Sequence, residues 1–303
     1  MSSVYQELES IRISKYAVGL PCYICGEGNS CDGELCRHCH APLALAHQAG
    51  VQKISPQMLG VIGPAGSGKT VYLGMLLDLL SRQADDLQLL ARGAFSISLQ
   101  QTVVSHLARC NFPPKTPSEP DRWNWVHAQV QSPRRKGLEL IVPDMSGEAL
   151  LEEINHPNSC PVVRSFLEKS HGSLMLIDAA RLDEGDNEPD FFAMKVLSFL
   201  CELHGHSPQR KLNLPVAMVF TKADQCESAF GDAMQFAQRH TPGLWQLCQQ
   251  RLSKFQFFAA GVVGACGFSY SRTGKQLVPL RIEPRGIVEP FRWLVSEMGQ
   301  SRR

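Results

Sequence analysis

Residues 59–77 read LGVIGPAGSGKTVYLGMLL: a mostly apolar run, a burst of small residues ending in Lys69 and Thr70, then an apolar pattern again. From Gly63 through Pro64, Ala65, Gly66, Ser67, Gly68 and Lys69 to Thr70 the chain satisfies G-x-x-x-x-G-K-[ST] at every position. No other stretch limits the fold so sharply. Such a loop joins the end of a strand to the start of a helix. There its glycines let successive backbone N–H groups turn inward on a phosphate, and the helix start adds its positive dipole end. Lys69 supplies a cation, and the Thr70 hydroxyl is placed to ligate Mg²⁺.

The rest of the chain supplies a matching frame. Apolar runs of strand length (58–62, 138–142, 173–177, 216–220, 255–263) alternate with stretches of helical period (71–80, 191–203, 288–298). This rhythm predicts an α/β fold in three layers, with helices covering a mainly parallel sheet. One segment departs from it. WNWVHAQV, residues 123–130, is followed by QSPRRKG and then LELIV with no room for a crossover helix, so the two runs should pair antiparallel as a hairpin. Just before it, residues 111–120 (NFPPKTPSEP) hold four prolines in ten positions and read as an extended loop. The cluster Arg134, Arg135, Lys136 reads as a solvated turn.

At 303 residues and 44% hydrophobic the chain can bury a full core. Its 30 basic residues against 29 acidic leave a net charge of +1, which argues against nucleic acid and anionic membranes as partners. MSSVYQELES at the start has no basic-then-apolar export pattern, and about 18 consecutive apolar residues occur nowhere; a cytoplasmic location is expected.

Two later stretches carry chemistry. In VPDMSGE, Asp144 follows a strand end where it can hold a Mg²⁺-bound water, and Gly147 can offer a backbone N–H to a γ-phosphate, the D-x-x-G arrangement of a nucleotide switch. In VAMVFTKADQ a buried strand delivers Thr221, Lys222 and Asp224 to the same sheet edge. Asp224 can accept from guanine N1–H and the 2-amino group, which adenine lacks, while the Lys222 stem can lie along the base. GTP or GDP is the expected nucleotide.

The ordered set GPAGSGKT, DMSGE and TKAD, with an antiparallel pair before DMSGE, resembles the Ras-like GTPases of the translation-factor-related class over about residues 57–300. The resemblance implies a first switch before the hairpin, whose threonine closes on Mg²⁺ and the γ-phosphate; Thr116 is the natural candidate and Thr102 the alternative. It also implies a base-capping loop near residues 260–263, where the usual serine-alanine-lysine is missing. Where that family often has a water-orienting glutamine this chain has Glu148, which when ionised accepts but does not donate, and whose other role is capping or solvation of the following helix. Catalytic work is expected of Lys69, Thr116, Gly147 and Glu148. Ala65 stands where many small GTPases have glycine, and Arg92, Arg109 and Arg181 only lie near the right loops. Slow hydrolysis, stimulated by a partner, follows as the expectation.

Of eleven cysteines, Cys110, Cys160, Cys201, Cys226, Cys248 and Cys266 are scattered and expected as small buried hydrophobes. Five crowd into residues 22–39. Cys22-x2-Cys25 and Cys36-x2-Cys39, ten residues apart, present two thiolate knuckles suited to a closed tetrahedral Zn²⁺ site, with Cys31, His38 and His40 as alternative ligands.

The order of zinc ribbon, GTPase and a closing VPLRIEPRGIVEPFRWLVSEM is similar to the bacterial double-GTPase group of conflict and defence gene clusters. That resemblance implies a switch acting with a companion GTPase or effector proteins. The expected division is a leader (1–20), a zinc ribbon (21–42), a linker (43–56) and a nucleotide-binding domain (57–303). The competing reading is a zinc-ribbon scaffold in which a bound nucleotide only stabilises the fold.

Overall fold

The computed structural model describes residues 19–52, 55–82, 87–132, 135–204, 210–271 and 274–300. Two short strands come first, β1 (Leu20–Pro21) and β2 (Gly28–Asn29), paired antiparallel. They are followed by β3 (Gln57–Ile62), β4 (Gln88–Arg92), β5 (Trp125–Ser132), β6 (Arg135–Pro143), β7 (Ser170–Asp178), β8 (Val216–Thr221) and β9 (Phe255–Ala259). These seven form one sheet in the order β4-β5-β6-β3-β7-β8-β9. Every neighbouring pair from β6 to β9 is parallel, and β5 alone runs antiparallel to both its neighbours. The sheet is thus mostly parallel with one antiparallel strand, as the hairpin argument required; Trp125 faces Pro143 and Val130 faces Leu138. Arg134 and the side chains of Arg135 and Lys136 lie outside the described residues, as do residues 1–18 of the leader.

Among the described residues the helices are α1 (Ala44–Gln52), α2 (Lys69–Arg82), α3 (Gly93–Ala108), α4 (Gly147–Asn155), α5 (Pro161–Glu168), α6 (Ala179–Asp183), α7 (Glu188–Leu203), α8 (Glu227–Gly231), α9 (Ala233–His240), α10 (Pro242–Arg251) and α11 (Val288–Gln300). None is long and apolar enough to cross a membrane. The alternation of side chains along each strand sorts the core into two faces. Leu59, Val61, Leu174, Leu176, Ala217 and Val219 join Tyr72, Leu73 and Leu76 of α2, Val103 of α3 and Phe291 and Leu294 of α11. Met58, Ile62, Met175, Ile177, Met218 and Phe220 join Leu150, Phe166 and Leu200 of α4, α5 and α7 on the other side. Burying each large apolar side chain contributes about 1.5–3 kcal/mol, so it is these two layers that hold the loops at the sheet edge in place.

The second core also takes in Cys22, Ile24, Cys36, Cys39, Leu43 and Leu45, so the cysteine-rich segment shares its packing with the sheet. The Tyr23 hydroxyl donates to the Pro56 carbonyl. Between these segments, within the stretch expected as a linker, residues 44–52 form a helix.

Three features depart from the sequence reading. β4 and α3 arise from QLLARGAFSISLQ, where no element was expected, because strand and helix meet there without a breaker other than Gly93. The run 255–263, expected as one strand, divides at Ala260: its N–H donates to Phe220 O and its carbonyl accepts from Ala223 N. The chain then leaves the sheet as a separate antiparallel ribbon, β10 (Gly261–Ser271) and β11 (Gly274–Arg285). Of the scattered cysteines, Cys160, Cys201, Cys226 and Cys248 are buried, but Cys110 is exposed and Cys266 half-buried. Cys110 sits past the end of α3 in the left-handed region, and Cys266, on the β10 strand, packs only partly against the core.

Candidate functional site

Residues 63–68 turn between β3 and α2. Gly66 and Gly68 hold φ of +78° and +87°, a region that residues with a side chain rarely adopt, and Lys69 opens the helix. The Lys69 ammonium is buried and donates to the carbonyls of Gly63 and Pro64 at 2.9 Å each. Burial pulls its pKa down to about 8, against the attraction of Asp144 and Glu148. Ser67 Oγ is buried with no hydrogen-bond partner among the described residues.

Three oxygen-bearing side chains meet beside this loop. Thr70 Oγ1 lies 2.8 Å from Thr116 Oγ1 and donates to Asp144 Oδ2 at 2.9 Å; Thr116 Oγ1 donates to the same oxygen at 3.1 Å. Thr70 lies in the first turn of α2, Asp144 follows the end of β6, and Thr116 comes from the proline-rich loop, tethered nearby by Trp123 Nε1 donating to Pro117 O at 3.0 Å. Thr102, the alternative, lies inside α3. Burial raises the Asp144 pKa, opposed by the Thr70 hydroxyl and the Lys69 charge. Two hydroxyls around a buried carboxylate are a hard-oxygen donor set that fits Mg²⁺ better than a softer metal.

Gly147 is pressed on the phosphate loop. A Cβ there would stand 2.7 Å from Ala65 N, Gly63 O and Pro64 C, all backbone atoms, so only glycine fits. Ser146 caps α4, its hydroxyl accepting from Glu148 N at 3.2 Å. Glu148 itself is half exposed and paired with Lys115, Nζ to Oε1 2.5 Å, which holds its carboxyl below the usual range.

At the far end, Thr221 Oγ1 donates to Ser67 O at 2.8 Å and Ile177 O at 3.2 Å, locking the end of β8 to the phosphate loop. Lys222 adopts the left-handed conformation, and its ammonium meets the buried Asp178 carboxylate at 2.5 Å. Asp224 is half-buried; desolvation raises its pKa while the N–H of Val262 bonds to it. A Cβ on Gly261 would lie 2.4 Å from Asp224 Oδ1. The 260–263 segment thus packs against Asp224 through its backbone, which is how a capping loop can work without serine-alanine-lysine.

A cleft of about 750 Å³ joins the two ends. Residues 65–72, Thr116, Gly147, Thr221, Lys222, Asp224 and the 260–263 segment all line it; so do Lys115, Asp178, Cys266 and Leu277, which the sequence reading missed. Of the arginines considered, Arg181 alone lines the cleft, and it is bound to Asp186 and Glu188. Arg92 instead pairs with Gln129.

The four cysteines Cys22, Cys25, Cys36 and Cys39 bring their sulfurs within 4.8 Å of one another, and they are the metal-capable group among the described residues. Cys22 to Cys39 is 3.7 Å and Cys25 to Cys36 is 3.5 Å. A tetrahedral ion with Zn–S of about 2.3 Å needs S···S of about 3.8 Å, so the cage fits Zn²⁺ and is too open for disulfides. Backbone N–H groups of Glu27 and His38 point at Cys25 and Cys36 sulfurs. His38 and His40 are exposed outside the cluster, and Cys31 stands apart from it. Asn29, which sequence reasoning missed, ties the knuckles: its amide donates to Glu27 O and the Cys36 sulfur and accepts from Arg37 N.

A phosphate loop at the end of a central parallel strand, a D-x-x-G glycine leaning on it and a T-K-x-D segment closing the same cleft together define a P-loop nucleotide-binding fold of the GTPase kind. Residues 60–193, somewhat under half of the chain, match the model of the family Double-GTPase 1. Among solved structures, the chain is similar to the signal recognition particle receptor SRb-GTP/SRX complex from Chaetomium thermophilum. The identity is 16%, with 70% of this chain and 93% of that chain covered and a TM-score of 0.40. A comparison with curated proteins returned no match.

Proposed function

We propose that the protein is a GTP-binding regulatory switch with slow, Mg²⁺-dependent hydrolysis that a protein partner stimulates. The observation that carries this reading is that one cleft is lined at one end by Lys69 and Thr70 and at the other by Lys222 and Asp224. Gly63, Gly66, Ser67, Gly68 and Lys69 hold the phosphates. Thr221 braces the loop, and Lys222, fixed by Asp178, lies along the base. The Asp224 carboxylate has lone pairs left after accepting from Val262, enough for both guanine donors. Thr70, Thr116 and Asp144 would hold Mg²⁺, which when bound neutralises charge on the phosphate oxygens.

Closing of Thr116 and the Gly147 N–H on a γ-phosphate is the switch. Glu148 stands where it can accept a hydrogen bond from water. The companion GTPase or effector is inferred from the double-GTPase type. A cytoplasmic setting, the role in bacterial defence and the division into leader, ribbon (21–42), linker and nucleotide-binding domain (57–303) belong to the same proposal. Zn²⁺ in the Cys22, Cys25, Cys36, Cys39 cage has a structural role, because four thiolates leave no open position for a substrate.

Side-by-side titration with labelled GTP and ATP tests the reading. GTP should bind at least about 10²-fold tighter, since ATP offers the half-buried Asp224 carboxylate neither of guanine's two donors. Asp224→Asn should move preference toward XTP. Equal binding of ATP and GTP, with Asp224→Asn indifferent to the base, would leave only a generic triphosphate binder. Zinc content of one ion per chain, lost with a lowered Tm in Cys36→Ser, tests the cage.

A further inference from the structure

The cleft lining contains four basic side chains among the described residues: Lys69, Lys115, Arg181 and Lys222. Two are committed elsewhere, Lys222 to Asp178 and Arg181 to Asp186 and Glu188. Lys69 belongs to the phosphate loop. Lys115 is different: it immediately precedes Thr116, whose hydroxyl is 2.8 Å from Thr70 Oγ1, so the chain trace brings it to the phosphate end beside the metal-capable trio.

We propose that Lys115 is the cation this chain supplies in cis to the phosphoryl group in flight, and that Glu148 is the positioning residue that holds its ammonium at the cleft. The inference rests on the GTPase reading above. Three observations carry it. The Lys115 ammonium meets Glu148 Oε1 at 2.5 Å, bridging the proline-rich loop to the first turn of α4. Gly147, next to Glu148, is jammed against the phosphate loop, so the Glu148 backbone is held close to that loop. And both side chains are well exposed, 63% and 49%, which makes the pair too weakly stabilising to be there for the fold.

This pairing also answers a chemical objection to Glu148. An ionised carboxylate beside a phosphate repels it; with an ammonium on one oxygen that repulsion is cancelled, and the other oxygen can still accept from water. In hydrolysis the water oxygen forms a bond to the γ-phosphorus as the bond from that phosphorus to the bridging oxygen breaks. GDP leaves with the electron pair, and the water proton ends on the released phosphate. Charge grows on the bridging and γ oxygens during that exchange, and an ammonium in reach stabilises it.

The test is single-turnover hydrolysis of γ-labelled GTP, protein in excess over nucleotide, followed for a day, with GTP and GDP affinities measured in parallel. Lys115→Met should slow release by about 10²-fold, the scale of one donor aimed at developing charge, while GDP affinity changes less than about threefold. Lys115→Arg should keep most of the rate. Glu148→Ala should cost less than Lys115→Met, and the double variant should lose less than the sum of the two single losses, because part of the Glu148 effect runs through the lysine. Additive losses would remove the positioning role. A Lys115→Met rate equal to the parent's, or a parent that binds GTP and releases no phosphate, would overturn the assignment of Lys115. Failure of the parent to bind GTP would instead overturn the underlying reading.

Discussion

The two ends of the cleft are built on opposite plans. At the phosphate end the loop 63–70 is contiguous, and its partners Thr116, Asp144 and Gly147 reach it by hydroxyl, carboxylate and bare backbone, all within 3.2 Å or in direct contact. At the base end nothing contiguous suffices. Asp224 gains its environment from Gly261 and Val262 across a sheet strand, and Lys222 is held by Asp178 from the neighbouring one. A phosphate offers dense charge that backbone N–H groups satisfy locally, whereas a base offers a flat apolar face and two donors that need walls from separate elements.

That contrast can be broken most directly at Gly147. Gly147→Ala places a methyl group 2.7 Å from backbone atoms that cannot swing aside, and should cost about 1–3 kcal/mol, or ten- to hundredfold in GTP affinity. A fluorescent-nucleotide titration checks it; unchanged affinity would mean that the two loops part freely. Asp178→Asn, at the other end, should loosen Lys222 and weaken guanine nucleotides by about three- to tenfold, with ATP affinity barely moved. If GTP and ATP weaken equally, Asp178 serves the fold rather than the base.

The smallest expected effect is on pH. Asp224 must be ionised to accept both guanine donors, and burial raises its pKa above the ordinary 3.8. GTP affinity should therefore be full at neutral pH and fall as pH drops through that raised value, by up to about tenfold per unit below it. In Asp224→Asn the fall attributable to this group should vanish. A titration between pH 4.5 and 7.5 on both proteins, using XTP for the variant, separates the outcomes.

Legibility followed the same divide. GPAGSGKT, DMSGE, TKAD and the paired C-x-x-C knuckles could all be read off, since each packs its chemistry into a few consecutive residues with a recognisable strand or helix beside it. The hairpin was readable because a short turn leaves no space for a helix. Lys115 on Glu148, Lys222 on Asp178 and Asn29 between the knuckles were not, since these partners are separated along the chain and no periodicity marks them. β4 escaped because QLLAR runs into α3 without an interruption, and the β10–β11 ribbon because FFAAGVVG gives no sign that pairing to β8 stops at Ala259.

From the sequence alone came the layered α/β class, the phosphate loop, the T-K-x-D segment at the sheet edge and the four-thiol cage, since backbone conformation, hydrogen-bonding capacity and ligand spacing are local properties of residue type. Tertiary structure brought Thr116 beside Thr70 and Asp144 while leaving Thr102 inside α3, seated the cysteine-rich segment in the core of the sheet, and gave Glu148 a lysine for a neighbour. Those outcomes depend on which distant segments the burial of two apolar faces drives together, and that is a property of the whole packed chain.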